Sequence, residues 1–311
     1  LPPHHPKPVS PTCVPDSPLG VPIAWPDGRH VAANAGHRIF LWDVQAGTWT
    51  RALETRAIHS PPMFHLASER VLGRVLDAHG LRAFAVWDSR DWQCLQTFEG
   101  HGEPVRAATF VAEDRVVSIS GDGTAQLWDA WTGASLRTFQ SGLPHALAVH
   151  PTKGLVAISG ERGSVVLLDG PTLEVRADFH LPRGTARDEQ RGHGQGSTPA
   201  HRIQALVWHP DGEHLLGGGR DFVTRMFHGH TGRIVSEWHG HSDEVVSVAV
   251  CAERGLLCTG SYDGTVRVWS LDSTECLAVH DLGHADISGL CFVGGAIYVT
   301  VRSELRVIPL P

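Results

Sequence analysis

Two sets of side chains in this sequence have the types that chemistry needs. His101, Ser118 and Asp122 could serve as base, nucleophile and orienting carboxylate of a hydrolase. His241, Thr259 and Asp263 repeat the pattern further along. Three features argue against catalysis. A catalytic set is needed once, and this one occurs twice. Ser118 lies inside an apolar, strand-like run and not on an exposed G-x-S-x-G elbow. A tryptophan completes each set, Trp128 in the first and Trp269 in the second, and each brings an indole N–H donor.

Other chemistry finds less support. The 21 histidines include the pairs His145 and His150, and His228 and His230, but no spacing supplies three or four converging metal ligands. The six cysteines show no C-x-x-C spacing and read as reduced thiols of an intracellular, cytoplasmic protein. No G-x-x-x-x-G-K-[ST] phosphate loop occurs, and Gly217, Gly218 and Gly219 read as a tight turn and not as an anion cradle. No metal and no cofactor are expected.

The elements that must carry these residues come from a repeat. A short apolar run before a turn ends at Trp25, Leu66, Phe110, Val149, Trp208, Val250 and Phe292, at intervals of 41, 44, 39, 59, 42 and 42. A later run ends at Trp42, Trp87, Trp128, Leu168, Phe227, Trp269 and Ile308, at intervals of 45, 41, 40, 59, 42 and 39. Seven units follow, and one insertion explains the long interval in both series. Within a unit, short runs such as 245–250, 256–260 and 265–269 alternate with turns such as Tyr262, Asp263 and Gly264. Short runs rich in β-formers and bounded by Gly, Asp and Pro read as strands. Helical periodicity is nowhere sustained for ten residues. Four strands per unit is the arithmetic of a propeller blade.

The dipeptides Gly100-His101, Gly240-His241 and Gly283-His284, with Trp42-Asp43, Trp87-Asp88 and Trp128-Asp129, resemble those of WD-repeat proteins. The stretch 240–272 is close to that family's consensus, with Ser270 where an Asp is usual. The turns Pro26-Asp27-Gly28 and Pro210-Asp211-Gly212 also match. The resemblance covers residues 19–311 and implies an all-β, seven-bladed β-propeller of four-stranded antiparallel blades. It also implies a buried chain from Trp N–H through the hydroxyl to His and Asp. That chain would make His101, Ser118, Asp122 and Trp128, and His241, Thr259, Asp263 and Trp269, structural networks. Unit 5 keeps only His201 and Asp221, with Gly217 and Phe227 at the other two positions. Unit 4 has Arg162 and Leu168, and unit 7 has His284 with Arg302 and Ile308.

Composition bounds the function. Charge is spread over 33 acidic and 26 basic residues, a formal net of −7. A mildly acidic chain without basic-aromatic interleaving argues against nucleic acid. No run of eighteen apolar residues spans a membrane. Residues 1–18 hold seven prolines and read as a linker or tail that includes His4 and His5. Residues 183–200 are an insertion rich in Gly and charge. The seventh unit lacks a fourth run, so a closing strand is expected from residues 7–14 beside 305–308.

The favoured function is a non-enzymatic scaffold that binds a protein or peptide on one propeller face. The insertion, Glu103, Arg106, Arg162, Arg220, Asp243, Tyr262 and Asp286 are expected on that face. A second reading is a sensor or regulatory module, with an upstream domain on the same polypeptide. A propeller hydrolase or metal enzyme is a third.

Overall fold

The computed structural model describes residues 8–9, 15, 19–25, 27–35, 38–54, 63–65, 69–77, 80–90, 93–181, 202–283 and 286–310. Seven antiparallel sheets follow one another along them. Blade 1 holds β1 (Pro8–Val9), β2 (Ile23–Ala24), β3 (His30–Ala35), β4 (Arg38–Asp43) and β5 (Thr48–Glu54). Blade 2 holds β6 (Met63–His65), β7 (Arg70–Asp77), β8 (Gly80–Asp88) and β9 (Cys94–Phe98). Blade 3 holds β10 (Val105–Ala112), β11 (Arg115–Ser120), β12 (Thr124–Asp129) and β13 (Ser135–Gln140). Blade 4 holds β14 (Ala146–Val149), β15 (Leu155–Ser159), β16 (Ser164–Asp169) and β17 (Val175–His180). Blade 5 holds β18 (Ile203–Trp208), β19 (His214–Gly219), β20 (Thr224–His228) and β21 (Ile234–Trp238). Blade 6 holds β22 (Val245–Cys251), β23 (Leu256–Ser261), β24 (Thr265–Ser270) and β25 (Cys276–Asp281). Blade 7 holds β26 (Ile287–Val293), β27 (Ala296–Val301) and β28 (Glu304–Pro309). The chain is an all-β, seven-bladed propeller.

Each strand's side chains fit its place in a blade. The second strands are buried on both faces and read as continuous apolar or small runs: every residue of β15 and β23 is buried. The outer strands β17 and β25 alternate exposed and half-buried residues, as a strand with one solvated face should. Turns are set by carboxylates. Asp43 Oδ1 accepts from the N–H groups of Gln45 and Ala46 at 2.8 and 2.9 Å, and Asp211 Oδ1 from those of Glu213 and His214 at 2.7 and 3.1 Å.

Two compact units divide the chain: residues 1–138 with 288–310, and residues 139–287. In the first, Val31 of blade 1 packs with Val293 and Tyr298 of blade 7. Ala32, Ile39 and Leu41 meet Val71, Ala85 and Trp87 of blade 2. Phe84 and Phe98 of blade 2 meet Trp128 of blade 3. In the second unit, Val165 and Leu167 of blade 4 pack on Leu215 and Phe227 of blade 5, and Leu216 and Trp238 pack on Leu257 and Trp269 of blade 6. Within each unit these apolar sheet faces are covered by the neighbouring blade, which is how stacked repeats are stabilised.

The anchor series mark strand ends to within two residues: β18 ends on Trp208, and β24 ends one residue past Trp269. Among the inner-strand aromatics, Phe110 and Trp208 are buried, while Trp25 and Phe292 are only half-buried. Two expectations are overturned. β1 does not lie beside 305–308; it pairs with β5, Pro8 opposite Leu53 and Val9 opposite Ala52. It is therefore a fifth strand on the outer edge of blade 1, where a proline costs no ladder bond needed inside the sheet. The contact to blade 7 comes instead from Leu19, whose N–H donates to the Arg302 carbonyl at 2.5 Å. Among the described residues blade 7 has three strands.

The second correction concerns Gly217, Gly218 and Gly219. They are the buried end of β19 and not a turn. Glycine is needed there for close approach: a Cβ on Gly219 would stand 2.1 Å from the Arg202 carbonyl oxygen, and one on Gly218 would stand 2.4 Å from Val245 Cγ1. Gly219→Ala is expected to lose about 1–3 kcal/mol, the usual range for overpacking. Gly217→Ala should lose less, since its first neighbour is a side-chain methyl, Ile203 Cγ2, at 3.0 Å. Urea unfolding of the two variants checks this; equal midpoints would contradict it.

Candidate functional site

The structure brings His101, Ser118, Asp122 and Trp128 together at one end of blade 3. Trp128 Nε1 donates to Ser118 Oγ at 2.8 Å, Ser118 Oγ meets His101 Nε2 at 2.7 Å, and His101 Nδ1 meets Asp122 Oδ2 at 2.9 Å. Blade 6 repeats this atom for atom. Trp269 Nε1 donates to Thr259 Oγ1 at 2.8 Å, Thr259 meets His241 Nε2 at 2.7 Å, and His241 Nδ1 meets Asp263 Oδ2 at 2.8 Å. Periodicity places the members. Ser118 and Trp128 lie on adjacent strands β11 and β12, with Trp128 two register positions from Gln126, the cross-strand partner of Ser118. The Asp sits in the next turn, and the His in the loop leading into the blade. Each carboxylate also accepts the N–H of the residue after the histidine, Gly102 or Ser242, at 2.9 Å. The entering loop is thereby fastened to the turn between the second and third strands.

Donor and acceptor order is constrained from both ends: the indole can only donate and the ionised carboxylate can only accept. The carboxylate therefore takes the proton of His Nδ1. With the His101 ring neutral, its Nε2 accepts the Ser118 hydroxyl hydrogen. Burial is the larger influence on His101: it favours the neutral ring and lowers the pKa from 6.5, against the opposing pull of Asp122, which favours the charged ring. Burial alone would raise Asp122. Hydrogen bonds from the Thr124 hydroxyl, His101 and the N–H groups of Gly102 and Thr124 together hold it down to about 2. Asp263 lies well below the usual carboxylate range for the same reasons, with His241, Thr265 and Ser242 as donors.

This atom order is that of a Ser-His-Asp triad, yet the surroundings withhold what a nucleophile needs. Ser118 and Thr259 are 0% exposed, so no carbonyl carbon reaches either oxygen, and the indole N–H claims electron density that attack would use. Among the described residues no group of three or more His, Cys, Asp or Glu side chains is placed to hold a metal ion. His150 is a structural histidine. Its Nε2 donates to the Gly212 carbonyl at 2.9 Å, and its Nδ1 accepts from Thr152 and Lys153 N–H groups.

Several participants were not foreseen from the sequence. Thr124 and Thr265 each donate a hydroxyl to the network Asp at 2.7 Å, and the repeated Asp-Gly-Thr order at 122–124 and 263–265 is the signal. Ser120 and Ser261 donate to the carbonyls of Glu103 and Asp243 at 2.8 and 3.0 Å. In blade 5, where Gly217 and Phe227 replace hydroxyl and indole, Arg225 takes over. Its Nη1 donates to Asp221 Oδ2, and its Nε to Glu237 Oε1 at 2.7 Å. The Asp221 and Arg225 side chains are 6% and 8% exposed. Burial would lower the Arg225 pKa, but the two carboxylates outweigh it and raise it. His201 and His284 lie outside the described residues, as does the insertion at 183–200.

The loop-end residues expected at a binding face divide into two groups. In the first unit, Glu103 and Arg106 are exposed beside Gly121. In the second, Arg220, Asp243 and Tyr262 gather around Glu244. Arg220 Nε donates to Glu244 Oε1 at 2.5 Å, Asp243 Oδ1 accepts the Glu244 N–H at 2.7 Å, and the Tyr262 N–H donates to the Glu244 carbonyl at 3.0 Å. Arg220 is thus committed to an ion pair and Asp243 is half-buried, while Tyr262 presents an exposed ring. Arg162 is exposed in a left-handed turn at φ 59°, and Asp286 is exposed just before β26.

Comparison with known proteins settles the family. Residues 92–129, 191–228 and 232–270 match the model described as "WD domain, G-beta repeat". The chain belongs to the WD40-repeat family. In this WD40 protein the matched repeats end with the third strand of a blade, at Asp129, His228 and Ser270, and 232–270 begins just before the outer strand β21 of the preceding blade. The sequence repeat is therefore offset from the sheet, so each repeat belongs to two blades. The chain is 30% identical over 187 residues to Striatin-4 of Homo sapiens, covering 58% of this chain and 23% of that protein. It is 22% identical over 170 residues to the serine-threonine kinase receptor-associated protein of Gallus gallus, covering 55% and 43%. It is 37% identical over 75 residues to Protein ROOT INITIATION DEFECTIVE 3 of Arabidopsis thaliana, covering 24% and 17%. The chain spans less than half the length of these curated relatives. Among the described residues no helix is long and apolar enough to cross a membrane.

Proposed function

We propose that this chain is a non-enzymatic docking platform for a protein or peptide, as WD40 propellers generally are interaction scaffolds. The observation that carries the reading is the sealing of Ser118 and Thr259 behind an indole, which turns the one chemically suggestive constellation into a structural fastener. What remains at the strand ends is a mixed-charge rim with Tyr262 and Arg162 exposed, suited to a polar partner surface. Tyr and Arg are over-represented among residues that dominate interface energy. The relative named as receptor-associated, and the larger size of Striatin-4, fit a protein partner and a place within a larger assembly. The domain we propose is one propeller over 19–311 behind a proline-rich tail. The proposed setting is the cytoplasm, where the free thiols of Cys94, Cys251, Cys258, Cys276 and Cys291 stay reduced.

The test is a pair of variants, Arg162→Ala with Tyr262→Ala, and a Gly-Ser replacement of residues 185–198. Both should melt like the parent, since neither touches the described core. A partner captured on the parent should bind at least one of them tenfold more weakly by calorimetry. Full affinity for both would put the docking surface elsewhere.

A further inference from the structure

The far end of blade 3 carries a feature that its polar network does not explain. Trp131 lies in the turn between β12 and β13, at the opposite end of the strands from His101. It is 57% exposed, the only exposed tryptophan among the described residues. An indole left in water in a chain that buries or half-buries its other described tryptophans needs a reason.

The ring is held in place. Arg70 of blade 2 is buried with its guanidinium carbon 4.7 Å from the Phe110 ring centre and 4.5 Å from that of Trp131. Its Nη2 donates to the Glu113 carbonyl. The backbone N–H of Trp131 donates to Asp129 Oδ1 at 3.0 Å. Gly133, at φ 73°, brings the same turn against β9, where a Cβ would stand 3.0 Å from the Thr97 carbonyl oxygen. One face of the indole is thus covered by a fixed cation, and the other is open to water. A pre-placed aromatic loses little freedom on binding.

The surrounding charge is acidic. Arg115 Nη1 is shared between Asp114 at 2.6 Å and Asp129 at 3.2 Å. Arg90 serves both Asp88 at 2.5 Å and Glu69 at 3.4 Å. With Glu113 exposed, the described residues here supply five carboxylates and three guanidinium groups, an excess of two negative charges among them.

We propose that Trp131 anchors a second docking surface, for an arginine-bearing peptide segment of a partner. A planar guanidinium stacks on the open indole face, and its N–H groups turn toward Glu113 and Asp114. The like charge of Arg70 across the ring is offset by the carboxylate excess. An anionic partner, whether a phosphopeptide or a nucleic acid, meets repulsion at the same place. The inference rests on the scaffold reading, but uses the opposite strand ends from Arg162 and Tyr262.

The probe is a fluorescein-labelled Gly/Ser peptide carrying three arginines, with a counterpart carrying three glutamates. Anisotropy at low salt should show the parent binding the arginine peptide and not the glutamate peptide. Trp131→Ala should weaken binding at least fivefold, and Glu113→Lys, an exposed change that leaves the stack intact, at least threefold. Melting curves confirm that both variants fold. The Arg162→Ala, Tyr262→Ala variant should bind the peptide as the parent does, so failure of the first surface and failure of this one read separately. The proposal is overturned if the parent does not bind the arginine peptide. It is also overturned if Trp131→Ala and Glu113→Lys bind it as tightly as the parent, or if the glutamate peptide binds equally well.

Discussion

Arg225→Met is expected to lower stability by about 3–5 kcal/mol, the range for breaking a buried ion pair from one side. Both side chains of the Asp221–Arg225 pair are more than nine-tenths buried, and the guanidinium also reaches Glu237. Methionine keeps much of the arginine's length and apolar stem, so volume loss is small and the electrostatic consequence is isolated. Asp221 then keeps its charge in a buried site without the guanidinium that faces it. The double variant Asp221→Asn with Arg225→Met should recover a large part of the loss, because it removes the charge that the single change strands. Urea unfolding of the two single variants and the double variant closes the cycle. Additive losses would show that the pair does not act as a unit.

That pair also marks the limit of what the sequence could tell. The propeller was legible because seven anchors, five of their six intervals near 40 residues, leave little choice of architecture, and because the two intact networks carry all four of their residue types. Loss of the network in blade 5 was equally legible in Gly217 and Phe227. Its replacement was not. Arg225 occupies the position of Gln126 in blade 3 and Arg267 in blade 6, so nothing in its spacing distinguishes it. In blade 6 the equivalent guanidinium, of Arg267, lies 5.7 Å from the Trp269 ring centre. In blade 5, where Phe227 stands in place of the indole, the arginine meets the Asp.

The two corrected expectations share a cause. Three consecutive glycines suggest a turn when local conformation is the only consideration. In β19 they are set by other chain segments, the Arg202 carbonyl and the Val245 side chain, which lie far enough along the sequence that no local pattern includes them. Closure of blade 7 fails in the same way. Residues 7–14 offered a short run able to pair, and the sequence could not say which of two outer edges it would meet. β5 presents an edge seven residues long, and β1 pairs there over two. At the candidate docking rim, residue type predicted exposure but not commitment. Arg220, expected on the docking face, holds Glu244 there.

Trp128 tests whether the sealed triad is a fastener. Phenylalanine at this position keeps most of the aromatic volume against Phe84 and Phe98, whose ring centres lie 5.6 and 5.8 Å away. It removes the one donor that satisfies Ser118 from below, in a site where none of these atoms meets water. Ser118 can still donate to His101, so the cost is that of one unsatisfied buried group, about 1–3 kcal/mol. Alanine removes the ring as well and opens a cavity between blades 2 and 3, for which about 3–5 kcal/mol is typical. The order parent, Trp128→Phe, Trp128→Ala should therefore appear in unfolding midpoints, with the first step set by a hydrogen bond and the second by packing. His101→Ala should fall near the first step and leave partner binding unchanged in the folded fraction. A catalytic reading predicts the opposite pattern, in which His101→Ala leaves the melt unaltered and abolishes an activity. Equal midpoints for the parent and both His101→Ala and Trp128→Phe would mean that the network holds nothing together.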